Sequence, residues 1–88
     1  NITVGLSCTC NSAPSASRSR VFTLQKGTST PATDLSTCTI AAGNTTCSDS
    51  SFSGPKAVSD SEFLTLKVDG AGGGSVGCQY IQCKFTYQ

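Results

Sequence analysis

CTIAAGNTTC, residues 38–47, carries a cysteine at each end, β-branched residues inside them and a Gly-Asn pair in its middle. Centring a two-residue turn on Ala42 and Gly43 sets Ala41 against Asn44, Ile40 against Thr45, Thr39 against Thr46 and Cys38 against Cys47. In an antiparallel hairpin this last pair is not hydrogen-bonded, and such pairs bring their Cα atoms to about 4.5 Å. That separation lies within disulfide reach. The segment is therefore expected to be a hairpin stapled by a Cys38–Cys47 bond.

The same alternation runs outward along the chain. Ile2, Val4, Leu6, Cys8 and Cys10 share one parity in ITVGLSCTC, as do Phe22 and Leu24 in RVFTLQ. In EFLTLKVD, Leu64, Leu66 and Val68 face one way, and Phe63, Thr65 and Lys67 the other. Towards the C-terminal end, Val76, Cys78 and Tyr80 lie on one parity, but Ile81, Cys83, Phe85 and Tyr87 lie on the other. This switch predicts a bulge at residues 79–81 or a strand covered on both faces. Turn-rich stretches separate the runs at residues 11–17, 26–34, 48–55 and 69–75. No window shows helical periodicity. The pattern predicts one all-β domain over residues 1–88, a single antiparallel β-sandwich of six or seven short strands.

Composition explains why such a fold needs staples. Leu, Ile, Val and Phe number 17 of 88 residues, against 26 Ser and Thr. Each buried apolar side chain contributes about 2 kcal/mol, while ordering the chain costs about 1.5 kcal/mol per residue. Six cysteines and no histidine in so short a chain predict an oxidising, extracellular setting. Cys8 and Cys10, two apart on one face, cannot easily bond each other. Their partners are expected to be Cys78 and Cys83, which would lay the first strand beside the last. Because Cys78 and Cys83 lie on opposite parities, either a bulge brings them together or one bond goes to another subunit.

A structural zinc site would need four Cys or His ligands, usually in close pairs. C-x-C, C-x8-C and C-x4-C without histidine do not supply them, and no metal or other cofactor is expected. A serine triad is excluded by the missing histidine. Asp60 and Glu62, the only close carboxylate pair, are read as a solvated turn. DGAGGGSVG precedes a strand rather than a helix, so it is read as a flexible loop and not a phosphate cradle. Tyr80 and Tyr87 are candidates for an interface. The net charge of +1 offers no basic stripe to nucleic acid, and no apolar run is long enough to span a bilayer. Asn1 and Asn44 open N-x-[ST] sequons and are candidate glycan acceptors. A start at Asn1 rather than Met is read as a mature end left by signal removal.

Residues 22–51, with FTLQKG and CTIAAGNTTCSD, and then LTLKV, resemble small jelly-roll or C1q-like β-sandwich domains of virion fibres and bacterial surface proteins. Those run as F-T-L-x-K-N-G, C-T-I-x-x-G-x-T-x-C-x-D, a strand ending in a Gly-Asp turn, and L-x-L-x-V. Here the Asn of the first turn is absent, and Ser61-Glu62 replaces Gly-Asp. The match covers about half of the chain, and it implies structural display and self-association rather than catalysis.

The expected function is thus a non-enzymatic structural subunit of an extracellular filament, pilus-like fibre or virion surface. It would form a homo-oligomer or polymer through bare β-edges. Ile2, Val4 and Leu6 are candidates for a strand donated to a neighbouring copy. The alternative is an extracellular glycan- or protein-binding module acting through its end loops; a small toxin or inhibitor fits less well.

Overall fold

The computed structural model describes residues 1–15, 18–29, 32–71 and 78–88. They form six strands and no helix: β1 (Ile2–Cys10), β2 (Ser19–Gly27), β3 (Thr33–Ile40), β4 (Thr46–Ser48), β5 (Phe63–Ala71) and β6 (Ile81–Tyr87). Two three-stranded antiparallel sheets result, in the orders β4-β1-β6 and β3-β2-β5. The chain is a small β-sandwich stapled by disulfides. Val76 and the glycines of residues 72–74 lie outside the described residues.

The core lies between the sheets. Ile2 and Leu6 from β1 meet Phe22 and Leu24 from β2, and Leu35 and Ile40 from β3. Cys8, Cys10, Cys38 and Cys78 are buried among them. Alternation accounts for most of these placements, since one parity of each strand faces inward.

In β1 the alternation is interrupted. Its pairing with β6 shifts register between Ile2 and Val4 and again between Val4 and Ser7. Each shift inserts one extra residue in β1. The first turns Val4 out, leaving it 56% exposed, and the second returns Leu6, Cys8 and Cys10 to the core. Gly5 sits beneath the Phe52 ring, and a Cβ there would stand 2.7 Å from Phe52. Only glycine lets the ring pack so close.

Two expectations are corrected. CTIAAGNTTC does turn at Ala42 and Gly43: Asn44 N–H donates to Ala41 C=O at 3.0 Å, and Gly43 takes a φ of 83°. However, β3 and β4 do not pair with each other. β3 is held by β2, from Arg20 opposite Ile40 to Lys26 opposite Thr33, and β4 is held by β1. The segment arches from one sheet to the other instead of folding back within one. Nor is β1 a free or edge strand. β4 and β6 flank it, and Lys56 bridges Ile2. Ile2 and Leu6 are buried in the core, so β1 cannot be donated without dismantling the molecule.

β5 differs from every other long strand. It pairs with β2 through nine consecutive residues, from Ser19 opposite Ala71 to Gly27 opposite Phe63, with no register shift. Leu66 lies opposite Leu24 and Val68 opposite Phe22, on the inward face that alternation predicts. Yet Leu64, Leu66 and Val68 are 41%, 42% and 43% exposed, because no strand of the other sheet lies over them.

Candidate functional site

The chemistry-bearing residues converge on the frame. Cys47, Cys8 and Cys83 stand in one cross-strand row on β4, β1 and β6. Cys8 bonds Cys83 with Cα atoms 4.1 Å apart. Cys47 instead crosses to Cys38 on the opposite sheet, at a Cα separation of 5.7 Å. The Sγ atoms of Cys8, Cys38 and Cys47 all lie within 4.8 Å of one another, a spacing that resembles a metal cluster. Every one of them is oxidised, so none offers the thiolate that a metal or a nucleophilic mechanism needs.

The third bond joins Cys10 to Cys78, with Cα atoms 4.9 Å apart. Cys78 precedes β6 and has a φ of 71°. Its N–H donates to Ser12 Oγ at 3.2 Å, and the next two N–H groups, of Gln79 and Tyr80, donate to Asn11 Oδ1 at 3.0 and 3.1 Å. The parity switch therefore comes from the positive φ of Cys78 and a bend at Tyr80, before Ile81 enters the strand, and not from a bulge within it. This bend lets Cys78 and Cys83 both reach β1, so neither bond leaves the chain.

A polar clasp lies beside the Cys38–Cys47 bond. Leu6 N–H donates to the buried Ser36 Oγ at 2.8 Å, and Ser36 Oγ donates to Asp49 Oδ2 at 2.6 Å. Asp49 also accepts from Thr37 N–H at 3.1 Å and Ser51 N–H at 3.0 Å, and its own N–H returns to Leu6 C=O at 2.9 Å. Burial pushes the Asp49 carboxyl up. The hydrogen bonds from Ser36, Thr37 and Ser51, with the Lys56 charge, outweigh that and hold it below the ordinary aspartate value. The available signal was Ser36, a hydroxyl beside Leu35 that breaks the apolar alternation of β3.

Asp60 is exposed and Glu62 half-buried. Glu62 accepts from Ser59 N–H at 2.9 Å and faces Lys26 at 3.6 Å. Those contacts, the Ser59 N–H first, hold it below the usual glutamate value, so it stays charged. Asn1 and Asn44 are both exposed, Asn44 on the arch between β3 and β4. Tyr80 and Tyr87 are exposed as well.

What remains open is one flank. β5 and β6 are the outer strands on that side, and Phe63, Leu64, Phe85 and Tyr87 border a cleft of about 470 Å³ with Val58, Asp60 and Glu62. A second hollow on the β4-β1-β6 sheet, about 580 Å³, is lined by Ser7, Thr9, Thr46, Ser48 and Gln82 around two of the disulfides. It carries no acid or base beyond Lys84.

No family model matches the chain, and neither a curated protein nor a solved structure is significantly similar to it. Among the described residues, no helix is long and apolar enough to cross a membrane. Three disulfides in a chain this small point to an oxidising environment.

Proposed function

We propose that this chain is a non-enzymatic structural subunit of an extracellular assembly, a filament or a virion or cell surface, that associates with copies of itself through its sheet edges. The observation that carries this reading is β5. A nine-residue edge strand with four exposed large apolar side chains, Phe63, Leu64, Leu66 and Val68, is a template for another strand. The resemblance of residues 22–51 to sandwich modules of virion fibres and bacterial surface proteins supports the same role. So does the use of all six cysteines as staples, which leaves a rigid unit with its reactive groups spent. Exposed Asn1 and Asn44 would allow glycans to be added without disturbing the core.

The test is sedimentation velocity and electron microscopy of the oxidised protein across a wide concentration range. Concentration-dependent oligomers or fibres are expected; monodisperse monomers at the highest concentration would remove the assembly reading. The cleft lined by Phe63, Phe85 and Tyr87 together with Asp60 and Glu62 favours a second reading, an extracellular glycan- or protein-binding module. That reading predicts hits on a glycan or protein array that Tyr87→Ala abolishes.

A further inference from the structure

We infer that β5 pairs with β5 of a second copy, antiparallel about a two-fold axis at Val68, with Lys67 of each copy opposite Asp69 of the other. The inference rests on the self-association reading and adds the edge, the symmetry and the register.

Geometry singles out β5. Sheet edges are normally blunted by bulges, proline or an unpaired charge. β5 contains no proline, and its pairing with β2 is regular along its full length. Its central charge, Lys67, is matched on the same face by Asp69, with Nζ and Oδ2 3.4 Å apart. β6, one outer strand of the other sheet, has Lys84 and no carboxylate within Ile81–Tyr87, and its partner strand is bulged; β4, the second, is only three residues long, and β3, the opposite edge of the β5 sheet, pairs with β2 through a register shift. Paired with its own copy about Lys84, β6 would set like charges face to face.

Charge then selects among the registers of a β5 pair. The register with full overlap of Phe63–Ala71 centres on Lys67 and sets Lys67 against itself. A register centred on Asp69 sets that carboxylate against itself. Like charges directly opposite are destabilising in an antiparallel pair. Centring on Leu66 leaves Lys67 opposite Thr65 and Asp69 opposite Phe63, with no ion pair formed. Centring on Val68 sets Lys67 opposite Asp69 twice, once on each side of the axis, and sets Val68 against Val68. The existing Lys67–Asp69 contact is more than half exposed at both ends, so exchanging it for the cross-copy contact loses little. The β3-β2-β5 sheets of the two copies would then join into one sheet of six strands.

Charge reversal tests the register. Lys67→Asp alone sets carboxylate against carboxylate twice, and Asp69→Lys alone sets ammonium against ammonium twice. Each is expected to weaken self-association at least about tenfold, with the melting temperature of the monomer unchanged. An equimolar mixture of the two variants restores both opposite-charge contacts, so it should recover native-like association as a heterodimer. Sedimentation velocity reads all three samples. If the native protein associates but the single variants associate equally well, or the mixture recovers nothing, this register is overturned while the assembly reading survives on another surface. If the native protein remains monomeric, both fall.

Discussion

The two flanks of the sandwich are built by opposite means. On the flank where β3 meets β4, the sheets are joined by the Cys38–Cys47 bond and by the Leu6–Ser36–Asp49 clasp. On the flank of β5, no disulfide crosses. Neither β2 nor β5 contains a cysteine, so β5 is held by its ladder to β2 alone among the strands. One flank is fastened and polar inside; the other is unfastened and apolar outside. The same alternation of side chains produced both. The difference is whether a second layer lies over the inward face, which a strand's own sequence does not record.

The strongest way to break this comparison is to remove the fastening. Replacing Cys8, Cys10, Cys78 and Cys83 together by alanine opens both nested loops, spanning 75 and 68 residues, and the chain-entropy cost is at least about 4 kcal/mol. The Cys38–Cys47 bond, spanning only 9, should cost about 3 kcal/mol. Thermal melts of the two variants should rank in that order; the reverse would mean that the arch, and not the long loops, limits stability.

Leu24 and Leu66 sharpen the contrast between covered and uncovered positions. They lie opposite each other on one face of one strand pair, but Leu24 is 3% exposed and Leu66 is 42% exposed. Leu24→Ala should cost about 3 kcal/mol, and Leu66→Ala about 1 kcal/mol or less in the monomer, measured by denaturant titration. Equal losses would show that β5 is covered in solution, as it would be in an assembly.

Asp49→Ala removes the acceptor of three hydrogen bonds and leaves the buried Ser36 hydroxyl without its acceptor, at a cost of about 2 kcal/mol. The native protein should also show an acid dependence that this variant lacks. Because the folded-state pKa of Asp49 is depressed, its contribution is complete above the ordinary aspartate value of about 4 and is lost as pH falls below it. Urea midpoints across that range would read it. The smallest effect belongs to the open flank: Lys67→Asp should shift monomer stability by less than about 0.5 kcal/mol, whatever it does to association.

Much of this architecture was legible in the residues. Alternation marked the strands and the shared parity of Leu64, Leu66 and Val68, and the Gly-Asn pair marked the turn at Ala42 and Gly43. The hairpin reading of residues 38–47 failed because local spacing cannot tell a return within one sheet from an arch between two. β3 keeps one edge free in the order β3-β2-β5, yet β4 ladders to β1 in the other sheet. The bulges that expose Val4 and the Phe52 ring over Gly5 depend on contacts far along the chain, and no local pattern contains them. The candidate surface was legible only as an apolar stripe; its exposure is a property of the other sheet.

The cross-link between β1 and β6 also has a mechanical meaning. Pulling on the two ends of the chain loads the first and last strands, which lie side by side and meet at Cys8 and Cys83. The short segments outside that bond can peel apart, but the tension then passes through the sulfur bridge, and everything between it is shielded. A unit pulled from its ends would be nearly inextensible while oxidised, and would lengthen abruptly once its bonds are reduced.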